Sequence, residues 1–252
     1  MKNKTLTLFI LFISISFYNL FGQNDDRLKG LDSELNKVLK SLNETGFAVA
    51  VVEKDKMIYA KGFGYRDYEN KILNNENTLF AIGSCTKAFT SSLLGLLRDK
   101  GKLDFEDSPI DYVKELRFYN GNLNEIISIR DLMSHRTGIP RHDLSWYFFP
   151  TFSKDSLIKR IEYHKPFTTI RNKYWYNNFM FLVQGVIAER ITGESWEDNI
   201  REMIFEPLEM KRSNLSIAEM EKEENAAFGY LDDHEKTDYY KIAGMRPAGS
   251  IN

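Results

Sequence analysis

The sequence predicts an α+β fold, and three stretches carry that reading. Gly46 to Lys54 (GFAVAVVEK) is rich in Val and Ala. Met57 to Gly64 (MIYAKGFG) follows, so the two read as an antiparallel hairpin turned at Asp55-Lys56. Thr78 to Lys100 spaces Phe89, Leu93, Leu94, Leu96 and Leu97 at a helical period. Phe179 to Ile191 is apolar almost throughout, the pattern of a helix buried on every side.

The other elements fall between and around these. Asn24 to Ser41 spaces Leu28, Leu31, Leu35, Val38 and Leu39 as one face of a helix. Residues 65–77 are charged and rich in Asn, hence a loop. Gly101 stands where a helix from Ser84 would end. Ser128-Ile129-Arg130-Asp131 has the form of a capping box, with Leu132 and Met133 as buried positions before Gly138 and Pro140 break the helix. Ser153 to Tyr163 reads as a helix stopped by Pro166. Gly193 follows the long apolar helix, Ser195 to Phe205 forms another closed by Pro207, and Ala226 to Leu231 is the one plausible late strand. Residues 141–152 gather Trp146, Tyr147, Phe148, Phe149 and Phe152. Packing of these rings on the domain is the favoured reading, a substrate-facing lid the other.

The 252 residues are 42% hydrophobic and 28% charged, with a formal charge of −2, a globular composition. Met1 to Gln23 reads as a secretory leader: Lys2 and Lys4 precede an apolar run from Thr5 to Phe17. The run is short and polar-spotted for a membrane span, with an uncleaved anchor as the alternative. The chain is thus expected to be exported, periplasmic or extracellular, with residues 24–252 as one domain and no stable membrane span after cleavage. That remainder carries 32 basic and 36 acidic residues, net −4, which disfavours nucleic acid as a partner. Cys85 is the only cysteine, so no internal disulfide is possible, and it is expected to be a small buried helix residue. No C-x-x-C or H-E-x-x-H pattern points to a metal, and no cofactor is implied.

The chemistry concentrates at Ser84-Cys85-Thr86-Lys87, an S-x-x-K arrangement entered through Gly83. A helix starting there sets Lys87 one turn beyond Ser84 on the same face. A serine hydroxyl is a poor nucleophile until a base takes its proton, and Lys87 serves only when neutral. That requires a fall of about three units from the free value of about 10.4, or about 4 kcal/mol. Ser156-Leu157-Ile158-Lys159 repeats the spacing inside an amphipathic helix and reads as ordinary surface. Tyr176-Asn177-Asn178 is a Y-x-N pattern just before the apolar helix: a phenol can relay the nucleophile's proton, and an amide can hold both a lysine and a substrate carbonyl. Tyr68-Glu69-Asn70 repeats that pattern in a charged loop and is discounted.

Together these motifs resemble the serine β-lactamase and penicillin-binding superfamily, nearest its class C β-lactamase-like esterases and peptidases. FAVAVVEKDKMIYAKGFGYRD resembles the opening hairpin. LFAIGSCTKAFTSSLLGLLRDKGKLDFEDSP resembles the nucleophile helix, and IRDLMSHRTGIP and YNNFMFLVQGVIAERITGESW two later blocks. RPAGSI resembles a downstream stretch. The resemblance implies an antiparallel sheet flanked by helices plus an all-helical lobe. It implies Ser84 as the acylated nucleophile, Lys87 as acceptor or relay of its proton and Tyr176 as general base or acid. Asn178 is implied to position Lys87 and the substrate carbonyl, and His135 is read as structural.

The superfamily's third motif, [HK]-x-G on a late strand, has no match; Arg136-Thr137-Gly138 mimics it at the wrong place and is read as a decoy. The chain is therefore expected to be truncated, lacking the last sheet strands, and to fold poorly or react slowly alone, since one lost oxyanion donor costs about 10²–10³ in rate. The leading expectation is an exported serine hydrolase acting through an acyl-enzyme on an ester or amide carbonyl: an esterase, a D-Ala peptidase or a β-lactamase-like enzyme. The alternative is a non-catalytic relative that binds peptidoglycan fragments or a protein partner.

Overall fold

In a computed structural model, residues 25–252 are described, and the leader expected over Met1 to Gln23 lies outside them. The hairpin forms as β1 (Gly46–Glu53) and β2 (Lys56–Asp67), antiparallel from Gly46 opposite Gly64 to Glu53 opposite Lys56, with a register shift between Val51 and Val52. Phe47 lies opposite Phe63, with ring centroids 5.3 Å apart. The turn sits one residue earlier than expected, at Lys54-Asp55, with Lys54 in the left-handed region at φ 56°. β2 also runs past Gly64 and pairs with β3 (Ile72–Leu73), where only loop was expected. The Asp67 carboxylate explains this: it accepts from both the N–H and the Nδ2 of Asn70, closing the turn between the two strands.

Ten helices accompany the sheet among the described residues. They are α1 (Leu31–Ser41), α2 (Thr86–Asp99), α3 (Pro109–Tyr112), α4 (Gly121–Ile126), α5 (Ile129–Met133), α6 (Leu144–Tyr147), α7 (Lys154–Arg160), α8 (Asn178–Thr192), α9 (Trp196–Ile200) and α10 (Ile217–Met220). A second, two-stranded sheet joins β4 (Gly229–Tyr230) to β5 (Lys236–Thr237). α1 begins later than expected because Gly30, at φ 88°, breaks the chain before it. It lies on β2, where Asp32 accepts from the Tyr59 hydroxyl at 2.7 Å. None of its apolar residues is fully buried.

α8 is the axis of the core. Its residues from Asn178 to Ala188 are all buried, and α2, α5, α7 and α9 pack around it. Gly193, at φ 83°, ends it. α2 brings Leu93, Leu94 and Leu97 into the same core, whereas Leu96 sits on the open side of that helix. The expected capping box is present: Ser128 and Asp131 satisfy each other's backbone N–H groups, and Arg171 grips the Asp131 carboxylate at 2.8 and 2.9 Å. The helix expected over residues 195–205 relaxes after Ile200 into one π turn, Arg201–Phe205.

The aromatic stretch departs from the packing reading. Trp146 is buried, but Tyr147, Phe148, Phe149 and Phe152 are exposed. Only Trp146 projects inward, its Nε1 donating to Asp143 at 3.0 Å, because the four residues of α6 form a single turn with one inner face.

The candidate active site

Gly83 to Cys85 form a 3-10 turn that leads directly into α2. Gly83 takes φ 50°, a conformation that costs glycine nothing. The turn holds Ser84 exposed at the helix mouth and carries Thr86, Lys87 and Thr90 inward. Cys85 is exposed, contrary to expectation, because it belongs to the turn and falls off the inward face of Thr86, Lys87 and Thr90. The backbone N–H of Ser84 has no hydrogen-bond acceptor among the described residues.

Lys87 Nζ lies 3.2 Å from Ser84 Oγ and donates to the Ala248 carbonyl at 2.6 Å. The segment Ala243–Ala248 and the residues after it are fastened to α2 at further points. Thr90 donates to the Pro247 carbonyl at 2.7 Å, Ile251 N–H donates to Thr86 Oγ1 at 3.0 Å, and Ile82 N–H donates to the Ile251 carbonyl at 3.1 Å. Burial lowers Lys87 to about 8; the Asp143 carboxylate pulls it upward and the Arg141 guanidinium downward.

Tyr176 reaches the same hydroxyl from the other side, its OH donating to Ser84 Oγ at 2.7 Å. The residues around it fix its place. Asn177 caps α8, its side chain accepting from Phe179 N–H at 2.8 Å. The His135 carbonyl accepts Trp175 N–H at 2.8 Å, and His135 Nδ1 accepts Asn177 N–H at 3.1 Å. His135 thus clamps the backbone on both sides of Tyr176, with the two rings 4.6 Å apart. An accepting Nδ1 places the ring proton on Nε2, and burial together with the Lys87 charge holds His135 down to about 4, so it is neutral. Burial raises the Tyr176 phenol above its ordinary value, against the Ser84 hydrogen bond and Arg141.

Asn178 is buried beside these groups, but its Nδ2 donates to Asp143 Oδ1 at 3.0 Å. The partner that holds Lys87 is the Ala248 carbonyl. Sequence reasoning passed over Ala248, Asp143 and Arg141. Asp143 accepts from Asn178, from Trp146 Nε1 at 3.0 Å and from Arg141 Nε at 2.6 Å. The Arg141 guanidinium centre stands 4.8 Å from the centre of the Tyr176 ring. The signal was the charged triplet Arg141-His142-Asp143 following Gly138-Ile139-Pro140.

The look-alike motifs are structural. Ser156 and Lys159 lie on the open face of α7. Tyr68 stacks on His234 with ring centroids 4.3 Å apart. Thr137 is fully buried, and Gly138 takes φ 78° at a point where a Cβ would collide with the backbone of Thr168.

A family model described as Beta-lactamase matches residues 33–250. The chain belongs to the Beta-lactamase family. Its fold is β-lactamase/transpeptidase-like. Among curated relatives, it is similar to unguisins hydrolase of Aspergillus campestris, 31% identical over an alignment of 229 residues that covers 84% of this chain and 42% of that protein. It is also similar to teichoic acid D-alanine hydrolase of Staphylococcus aureus, 29% identical over 194 residues, 77% of this chain and 46% of that one. The chain thus spans less than half the length of these two curated relatives. Among solved structures, FmtA from Staphylococcus aureus superposes with a TM-score of 0.77 at 26% identity, covering 92% of this chain and 63% of that one. A class C β-lactamase gives 0.75 at 27% identity, covering 91% and 63%. The octameric penicillin-binding protein homologue from Pyrococcus abyssi gives 0.78 at 24% identity, covering 89% and 53%, a likeness of fold.

Proposed function

We propose that this β-lactamase-family chain is an exported serine hydrolase that forms an acyl-enzyme on Ser84 with an ester or amide substrate. The observation that carries the reading is one hydroxyl between two proton-handling groups: Ser84 Oγ with Lys87 Nζ at 3.2 Å and Tyr176 OH at 2.7 Å.

The shifts support a division of roles. Tyr176, raised above its ordinary value, is protonated at neutral pH and is a donor to Ser84 Oγ. Lys87, lowered to about 8, has a neutral fraction and accepts the Ser84 proton as Oγ bonds to the carbonyl carbon. The carbonyl oxygen takes the negative charge, and the unengaged Ser84 N–H stabilises it at the mouth of α2. When the tetrahedral species collapses, the bond to the leaving alcohol or amine breaks. The leaving group takes the proton from Lys87 through the Tyr176 hydroxyl. Water then attacks the acyl group and passes a proton back along the same relay, the second bond to Oγ breaks, and Ser84 regains its hydrogen. Asn178 is tied to Asp143 through its amide nitrogen, which leaves its amide oxygen as the acceptor it can offer a substrate N–H. The hydrolase names of the relatives support the reaction class, and the export reading rests on the leader-like residues 1–23.

Incubation with a fluorophosphonate probe followed by peptide mapping tests the proposal. The expected result is one adduct on Ser84, absent from Ser84→Ala. A folded protein that takes no adduct refutes acyl transfer and leaves a binding module.

A further inference from the structure

We infer that Arg141 is an anion-recognition residue at the mouth of the Ser84 site, so that the favoured substrates carry a carboxylate or phosphate beside the scissile carbonyl. The turnover arm of its test rests on the acyl-transfer reading; the binding arm does not.

The position is the first ground. The Arg141 guanidinium stands 4.8 Å from the centre of the Tyr176 ring, and the hydroxyl of that ring touches Ser84 Oγ at 2.7 Å. A group bound to Arg141 therefore lies beside the ring whose hydroxyl contacts the nucleophile. The second ground is how the guanidinium is held. Its Nε donates to Asp143 Oδ2 at 2.6 Å, and no other N–H of Arg141 has an acceptor among the described residues. A guanidinium has five donors in a rigid fork, so both terminal nitrogens are free to take an anion edge-on. The third ground is the division of Asp143. Its carboxylate is 14% exposed and shared among Arg141, Trp146 and Asn178, while the Arg141 side chain is 60% exposed. The acid is buried as an anchor and the base is presented to solvent. Arg171 and Arg190 differ: Arg171 spends its guanidinium on the Asp131 carboxylate and the Ile126 carbonyl, and Arg190 on the Glu115 and Asp155 carboxylates. The last ground is charge. In a chain of net −2, the Arg141 guanidinium and the Lys87 ammonium each stand 4.8 Å from the centre of the Tyr176 ring, and their field steers anions there.

The arrangement also explains Asp143. One carboxylate holds both the Arg141 guanidinium and the Asn178 amide, so the two groups keep a constant separation. Asp143 is in this sense a positioning residue.

The test uses matched esters and the 252-residue chain. On the acyl side, mono-para-nitrophenyl succinate is compared with para-nitrophenyl butyrate. On the leaving side, para-carboxyphenyl and para-phosphonophenyl butyrate are compared with para-methoxycarbonylphenyl butyrate. The readout is the ratio of kcat/KM for the charged ester to that for its neutral partner. Arg141→Gln is expected to lower this ratio about fivefold on one side or the other, as for a partly exposed charged hydrogen bond. Arg141→Lys should restore part of it, and added salt should weaken it in the parent protein. The relative size of the loss for the carboxyl and phosphono esters tells which anion the site prefers. A ratio unchanged by Arg141→Gln in both pairs overturns the inference. The binding arm uses Ser84→Ala, monomethyl succinate and methyl butyrate, followed by saturation-transfer NMR. Signal on the succinate that disappears when Arg141→Gln is added supports the inference even when no ester is cleaved. Equal signal with and without Arg141, or none in Ser84→Ala, overturns it.

Discussion

If Lys87 is the base that activates Ser84, the acylation rate must follow the neutral form of that amine. At its ordinary value of 10.5, about 0.03% of the lysine is neutral at pH 7; at about 8, about 10% is, a gain of about 300-fold. The acylation rate should therefore rise about tenfold between about pH 7 and about pH 9, with a midpoint near 8. The assay is the second-order rate of Ser84 labelling by a fluorophosphonate, a reagent with no titrating group in that range. Two variants move the midpoint in opposite directions. Asp143→Asn removes the carboxylate that pulls Lys87 upward and should shift the profile to lower pH; Arg141→Gln removes the cation that pushes it down and should shift it higher. Lys87→Met should flatten it. A profile flat through this range, or one still climbing past about pH 10, would refute Lys87 as the base and point to a group with an unlowered value.

Three further outcomes are expected. Gly185→Ala in α8 places a Cβ 2.7 Å from Pro247 Cβ and 3.2 Å from Trp196 Cδ1, so chemical denaturation should show a loss of about 1–3 kcal/mol, together with slower Ser84 labelling because Ala248 is displaced from Lys87. Asp131→Ala removes the capping box and both contacts to Arg171, and urea melts should register about 2 kcal/mol. His135 falls from 6.5 to about 4 and His164 from 6.5 to about 3, both mainly through burial, so above about pH 6.5 neither opposes folding. As pH drops from 6.5 toward 4, the unfolded chain binds protons that the folded one does not, and stability declines across that window. His135→Asn should remove part of the slope in melts taken at successive pH values, and an unchanged slope would show that His135 is not its source.

Much of this was legible in the residues. Alternation and composition gave the hairpin at residues 46–64, and a continuous apolar run gave α8, because each is a local signal that burial then enforces. Ser84, Lys87 and Tyr176 could be picked out by two motifs in family order and the resemblance they carry, and they converge on one hydroxyl. What could not be read was contact across long separations. The Ala248 carbonyl meets Lys87 from 161 residues away, and no pattern near either residue announces it. Asp143 was hidden for a different reason: three donors converge on it from Arg141, Trp146 and Asn178, and only folding brings the last of these beside the others. Exposure was misjudged where the chain runs on past a one-turn helix, as at Phe148 and Phe149, and where a turn precedes the helix, as at Cys85.

The stitching of residues 247–251 onto α2 has a consequence for the order of events during synthesis. Ser84 and Lys87 leave the ribosome early, yet the carbonyl that receives the lysine and the strap that shields it are made far later. Until then the amine is bathed in water, stays charged, and has no appetite for a proton. If Ser84 is the nucleophile, a nascent chain carries it dormant, and reactivity switches on only once residues 247–251 are stitched in place.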